Sequence, residues 1–323
     1  MLRTHLTTEL GLRYPLIGAP MANLAGGELA RAITQAGGLG MIGVGSRDSA
    51  EFVAREASAA RRGNPDIRFG IGVMAWDVVR RPQLLAAVIA ARPFLASVSF
   101  GTVGPHVARL HDAGILVTTQ VHDSAETVAA TEAGVDLIVV QGTEAGGHTG
   151  AVATMPLLQI VLQATTLPVV AAGGIATASG MAACLAAGAE GVWVGTAFIA
   201  SPECGRQPAA ISAILAARET DTIRTHAFDR AQGIPWPAPF PGRALRNDFT
   251  DRWHEREDQM AEDLSAQLRY RAACERGDYR LAHIYAGQAV GLVQAARPAG
   301  EVVREIAEGA EVLLRARCAH LLH

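Results

Sequence analysis

The residues best placed to do chemistry lie in one stretch, DLIVVQGTEAGGHTG, from Asp136 to Gly150. An apolar run, Leu137 to Val140, reads as a buried strand. It ends in Gln141 and passes into Gly142, Gly146, Gly147 and Gly150 around His148. Glycine permits left-handed backbone angles and a close approach to a ligand. Imidazole, with a free pKa of about 6.5, can give or take a proton near neutrality. A strand that stops in such a loop has the make-up of an active-site rim. Taken alone, the stretch could equally be a surface loop carrying one of the ten histidines.

Three further segments bear on it. AAGGIAT (Ala171–Thr177) and VGTAFI (Val194–Ile199) each fall where a strand candidate ends and a helix begins. The N–H groups of Gly173, Gly174 and Gly195, with the hydroxyl of Thr196, can surround a phosphate, favoured by the positive ends of the following helices. The alternative is a pair of ordinary tight turns. GAPMAN (Gly18–Asn23) closes the first strand, where Pro20 fixes the backbone and Met21 offers a polarisable surface to a flat ring. Gln120 and Gln141, at two further strand ends, are amides suited to the edge of a heterocycle.

These segments need a scaffold, and the chain repeats one unit from Pro15 to Gly195. Apolar runs begin at Pro15, Gly40, Phe69, Leu95, Ile115, Asp136, Pro168 and Gly191, and alanine-rich stretches of helical spacing lie between them. Such alternation means right-handed βαβ units, and near-continuous apolar strands mean a parallel sheet covered on both faces. Eight strand candidates in succession favour an α/β fold of the TIM (β/α)8 type. In that barrel the turns after the seventh and eighth strands are the usual phosphate site.

The pattern breaks after Ser201. Pro235, Pro237, Pro239 and Pro241 exclude a helix there. A charged helix is expected over about Arg252–Glu275 and an amphipathic one over about Ala299–Ala316. The expected division is a barrel core over 1–200, an inserted cap over 201–282, and C-terminal helices over 283–323 packing back on the barrel. Trp76, Trp236, Phe240, Arg243 and Asn247 are candidates for shaping the pocket.

Composition removes several classes. No lysine is present, so Schiff-base chemistry is excluded. Net charge is -3 with no basic tail, which speaks against nucleic acid. Four dispersed cysteines, Cys184, Cys204, Cys274 and Cys318, show no CxxC, so neither a metal site nor a disulfide framework is expected. The polar N-terminus and the lack of a long uncharged apolar run lead to the expectation of a cytoplasmic protein without a membrane span. Gly38, Gly40 and Gly43 form a literal GxGxxG, but they follow a helix and run into a strand, the reverse of a dinucleotide fingerprint.

GAPMAN, QGTEAGGHTG, VVAAGGI and WVGTAF, in that order and spacing, resemble the FMN-dependent nitronate monooxygenases, once called 2-nitropropane dioxygenases. GIPWPAPFPGRALRNDF and YAGQAVGL extend the likeness over nearly the whole chain. The resemblance implies FMN bound by Met21, Gln141, Gly146, Gly174, Trp193, Val194, Gly195 and Thr196. Ala19, Pro20, Gln120, Gly147 and Gly173 are expected beside them. It also implies His148 as the catalytic histidine, alkyl nitronate and O2 as reactants, carbonyl compound and nitrite as products, and leaves room for a homodimer. Two positions depart from the pattern: Gly72 stands where members often carry Asn, and Gln120 where some carry Lys. The alternatives are an FMN-dependent NAD(P)H reductase of the same barrel (enoyl-acyl-carrier-protein or quinone reductase type), a flavin-free phosphate-binding barrel and a non-catalytic binding protein.

Overall fold

The computed structural model describes residues 2–321, and the side chain of Cys318 lies outside what it describes. Strands β1 (Leu16–Gly18), β2 (Met41–Gly43), β3 (Gly70–Met74), β4 (Leu95–Ser99), β5 (Leu116–Val121) and β6 (Leu137–Gln141) are followed by the short β7 (Gly147–His148). Then come β8 (Val169–Ala172), β9 (Gly191–Val194), β10 (Thr222–Thr225) and β11 (Gly242–Leu245). Eight of these form one parallel sheet in the order β1-β9-β8-β6-β5-β4-β3-β2. A parallel bridge from Ile17 to Leu39 joins its two ends. The fold is therefore the expected TIM-like barrel, with its helices outside.

Strand alternation divides the core in two. Ile17, Met41, Leu95, Leu137, Val139, Val170 and Trp193 pack together inside the barrel, where Leu6 and Leu12 join them. Leu16, Ile42, Ile138, Val140, Val192 and Val194 face the helices instead. Gly38, Gly40 and Gly43 serve packing: a Cβ on Gly40 would lie 2.0 Å from the Ala30 carbonyl oxygen.

Two expectations about helices need correction. The charged segment is three helices, Asp248–Trp253, Glu257–Glu262 and Leu264–Arg276. Glu255 adopts a positive φ of 63°, and Asp263 leaves helical geometry to cap Ala266 N–H at 2.8 Å, so one continuous helix cannot form. The last helix is longer than expected, Ala299–Leu321, and packs against Gly27–Ala36 and Ala178–Ala186. Gly309 allows that approach, since a Cβ there would meet the Ala178 methyl at 2.7 Å.

Beyond Ser201 the chain adds β10 and β11, which pair antiparallel, and β11 pairs in turn with β7. The proline-rich run is indeed not helical, but it leads straight into β11. Among the described residues no helix is long and apolar enough to cross a membrane.

Candidate active site

The C-terminal ends of the barrel strands and the following segments enclose a cavity of about 470 Å³, within the roughly 300–1,000 Å³ usual for cofactor and substrate sites. Strand parity decides who reaches it. Gln141 shares the inward face with Leu137 and Val139, and Trp193 alternates with the outward Val192 and Val194. Gln120, Gln141 and Trp193 accordingly line the cavity. Val194 does not: it is fully buried on the outward face and gives its carbonyl to Ala19 N–H at 2.8 Å. Ala19, Pro20 and Met21 line the cavity from the end of β1. A Cβ on Gly72 would lie 2.4 Å from Pro20 Cγ, which accounts for glycine in place of the larger residue.

The turns after β8 and β9 supply Gly173, Gly174, Gly195 and Thr196 to the lining. Gly173 and Gly174 have φ of +104° and +71°, angles that favour glycine, and their N–H groups find no acceptor among the described residues. Thr196 Oγ1 accepts from Gly287 N–H at 2.9 Å, leaving its hydroxyl proton uncommitted. Free amides beside a hydroxyl fit a phosphate. The helix dipoles contribute less than expected: Thr177 caps Gly180 N–H at 3.3 Å, and a 3-10 turn, Thr196–Phe198, follows β9 in place of an α-helix.

Gly146, Gly147 and His148 form another part of the lining. The loop is held by neighbours remote in sequence. A Cβ on Gly146 would lie 2.5 Å from Gly287 N, and Gln288 N–H donates to Glu144 O at 2.9 Å, so the YAGQ segment braces it. Arg243 Nε donates to Thr143 O at 2.9 Å, and Arg224 donates to Thr143 Oγ1 and Thr149 O. Arg243 is thus a brace and does not line the cavity. Asn247 likewise serves elsewhere, capping the helix Asp248–Trp253.

His148 is buried, with Nε2 at 3.0 and 3.1 Å from the two carboxylate oxygens of Asp229. With the proton on Nε2 facing this carboxylate, the neutral ring keeps its lone pair on Nδ1, which takes no partner among the described residues. Asp229 also receives His226 Nδ1 at 3.3 Å and Tyr285 Oη at 3.4 Å. Burial alone would raise the Asp229 carboxyl, but the charges and hydrogen bonds of His148 and His226 prevail and hold it below the ordinary carboxylate range. Its hydrogen bond to Asp229 raises His226 against the opposing effect of burial.

The second ordered imidazole is His122. Its Nδ1 lies 2.8 Å from Glu126 and its Nε2 2.7 Å from Gln141 Oε1. An Nε2–H donated to Oε1 turns the Gln141 amide nitrogen away from His122. Trp236 lies over His148, while Trp76 meets Trp236 edge-on at 5.4 Å and stands outside the cavity lining. Phe240 packs against Phe100 and His122.

Sequence reasoning missed Asp229, Tyr285, His122 and Glu126. The His122–Glu126 pair carried a signal, an i,i+4 spacing just after a strand end. Nothing local marks Asp229, which is 81 residues from His148.

The nitronate monooxygenase family model matches residues 73–309. A protein described as a probable nitronate monooxygenase from Staphylococcus saprophyticus is 28% identical over 91% of this chain and 94% of its own length. Among solved structures, FabK from Thermotoga maritima superposes with a TM-score of 0.85 at 27% identity, covering 99% of this chain and 100% of that one. The nitroalkane oxidase of Streptomyces ansochromogenes gives a TM-score of 0.81 at 28% identity, covering 95% and 98%.

Proposed function

Since the chain belongs to the nitronate monooxygenase family, we propose that it holds FMN in the barrel mouth and oxidises alkyl nitronates with O2 to a carbonyl compound and nitrite. Residues 201–282 act as the cap over that site. The observation that carries this reading is the His148–Asp229 pair: an imidazole anchored at Nε2 in the same cavity wall system as a free-amide phosphate turn.

Gly173, Gly174, Gly195 and Thr196 hold the phosphate, and Met21, Gln120, Gln141 and Trp193 meet the ring. FMN, when bound, supplies the electron-accepting ring. The protein's part is positioning and proton handling. Nδ1 of neutral His148 takes the α-proton of a nitroalkane, with the resulting imidazolium stabilised by Asp229; protonated, Nδ1 donates to a nitronate oxygen. Base catalysis of this kind contributes about 10²–10⁴-fold.

The test combines an absorption spectrum of the purified protein with oxygen uptake and nitrite release on adding ethyl nitronate. A yellow protein that makes nitrite, and a His148→Ala variant that stays yellow but loses most turnover, are expected. Full activity in that variant removes His148 from the reaction. Rapid anaerobic bleaching by NADH or NADPH, without nitronate turnover, would instead establish a reductase.

A further inference from the structure

The proline-rich run between the helix Ala227–Gln232 and β11 is a strap that lays Trp236 over His148. Pro235, Pro237, Pro239 and Pro241 have no N–H to give, so the run has few backbone bonds with which to hold itself down. Trp236 N–H turns back to Ile234 O at 3.0 Å, and Phe240 N–H to Pro237 O at 3.1 Å. Among the described residues, one hydrogen bond reaches from residues 235–240 to another element: His226 Nε2 lies 3.0 Å from Ala238 O.

The same ring faces Asp229. His226 Nδ1 lies 3.3 Å from Asp229 Oδ2, and Asp229 in turn anchors His148 Nε2. Both nitrogens of His226 thus face oxygens that only accept, a carbonyl and an ionised carboxylate. The ring satisfies both only as an imidazolium, donating at each nitrogen. A neutral ring has one N–H; its bare nitrogen would meet an oxygen lone pair, and one contact must be given up. Hydrogen bonds to a charged acceptor are roughly twice as strong as neutral ones, so Nδ1 keeps the proton and Ala238 O is released.

The charges around His226 act in the same sense. Its hydrogen bond to Asp229 raises it against burial, with Ala238 O and the Asp229 charge adding to the rise and Arg230 opposing it. The strap brings no charged side chain. Glu257 is turned to Thr225 Oγ1 at 2.7 Å, Arg47 to Gln232 O at 2.8 Å, and Tyr285 gives its hydroxyl to the far side of Asp229. A raised pKa keeps the ring charged past its free value of about 6.5, and the charge is lost as pH rises through the folded value.

We propose that His226 is a positioning residue of the site, a proton-operated latch that shuts the strap onto His148 and lets it lift as the ring becomes neutral. Asp229 holds His148 by its edge and Trp236 by its face, and both supports hang on this one ring. Latching is independent of which substrate the cavity takes, and its test needs no turnover.

Hydroxyl-radical footprinting of the purified protein, read by mass spectrometry, reports the exposure of the Trp236 ring and is blind to the charge of His148. Labelling of Trp236 relative to exposed Met155 should rise in wild type between pH 6 and pH 9. The rise should be roughly threefold or more, the factor by which losing one hydrogen bond shifts an open-to-shut ratio. Trp193, inside the barrel, should stay unlabelled at both pH values. His226→Ala should label at pH 6 as strongly as wild type does at pH 9, with no further rise. His226→Gln, which keeps bulk without a titrating ring, should lose the pH dependence, and it carries the comparison if the alanine variant does not fold. Wild-type labelling that is the same at both pH values, a rise that persists in either variant, or an equal rise at Trp193 would overturn the latch.

Discussion

The imidazole of His148 lies flat against the indole of Trp236, ring centroids 3.5 Å apart and planes 8° from parallel. One face of the ring is thereby closed by a residue 88 positions downstream, and Asp229 fixes rotation about the other axis. Stacked aromatic pairs are worth about 0.5–1.5 kcal/mol beyond area. Replacing Trp236 with Leu should lower kcat on ethyl nitronate roughly 3–10-fold, the same energy read as a rate. Circular dichroism should be unchanged. An unaltered kcat would show that the indole does not orient the base.

Asp229→Asn keeps the shape but removes the charge that holds the His148 tautomer. Turnover should fall by about 10²-fold or more while flavin stays bound. The same carboxylate predicts a stability signature. Its folded pKa is depressed, so its contribution is present above the unfolded value of about 3.9 and is lost as pH falls through the folded value. The Tm gap between wild type and Asp229→Asn should be wide at pH 6 and close in strong acid. A gap independent of pH would refute this.

His226 has the opposite sign. Its pKa is raised by Asp229, so its stabilisation is full below the unfolded value of about 6.5 and fades as pH rises through the folded one. His226→Gln should cost more Tm at pH 5.5 than at pH 9. The group is partly exposed, and the effect should shrink in high salt.

His122→Ala removes the group that orients Gln141. Flavin affinity should weaken roughly tenfold, about one well-placed hydrogen bond, as read by equilibrium dialysis. Retention equal to wild type would mean that the Gln141 amide is held without it.

Gly174→Val puts a β-branched side chain at φ +71°, a conformation it resists. The turn must shift, and purified protein should carry little flavin while still folding. Undiminished flavin content would rule this turn out as the phosphate cradle.

Much of the barrel was legible because βαβ units write their own period: each of the eight barrel strands coincides with an apolar run, and glycines stop several helices. The rim glycines and His148 were legible for the same reason, since they directly follow strand ends. The helix Gln83–Ala91 carries a weaker mark, since its nearly all-apolar residues leave little contrast between faces. Asp229, Tyr285 and Trp236 were not legible as a group, since only the folded path of the downstream chain brings them to His148. The break at Glu255 and Asp263 is a matter of local backbone angles that a charged, helix-prone composition conceals.

The pairing of Gly242 with His148 makes the glycine-rich loop after β6 a strand of the downstream sheet. A Cβ on Gly242 would come within 2.8 Å of the Tyr285 ring and 3.2 Å of His148 Nε2, so the two strands meet without room for a substituent. Grafting the region after Ser201 from one relative onto the barrel of another would therefore sever the backbone ladder that holds His148. A viable chimera has to carry both partners of that ladder across together, which makes them one unit of inheritance despite their separation in sequence.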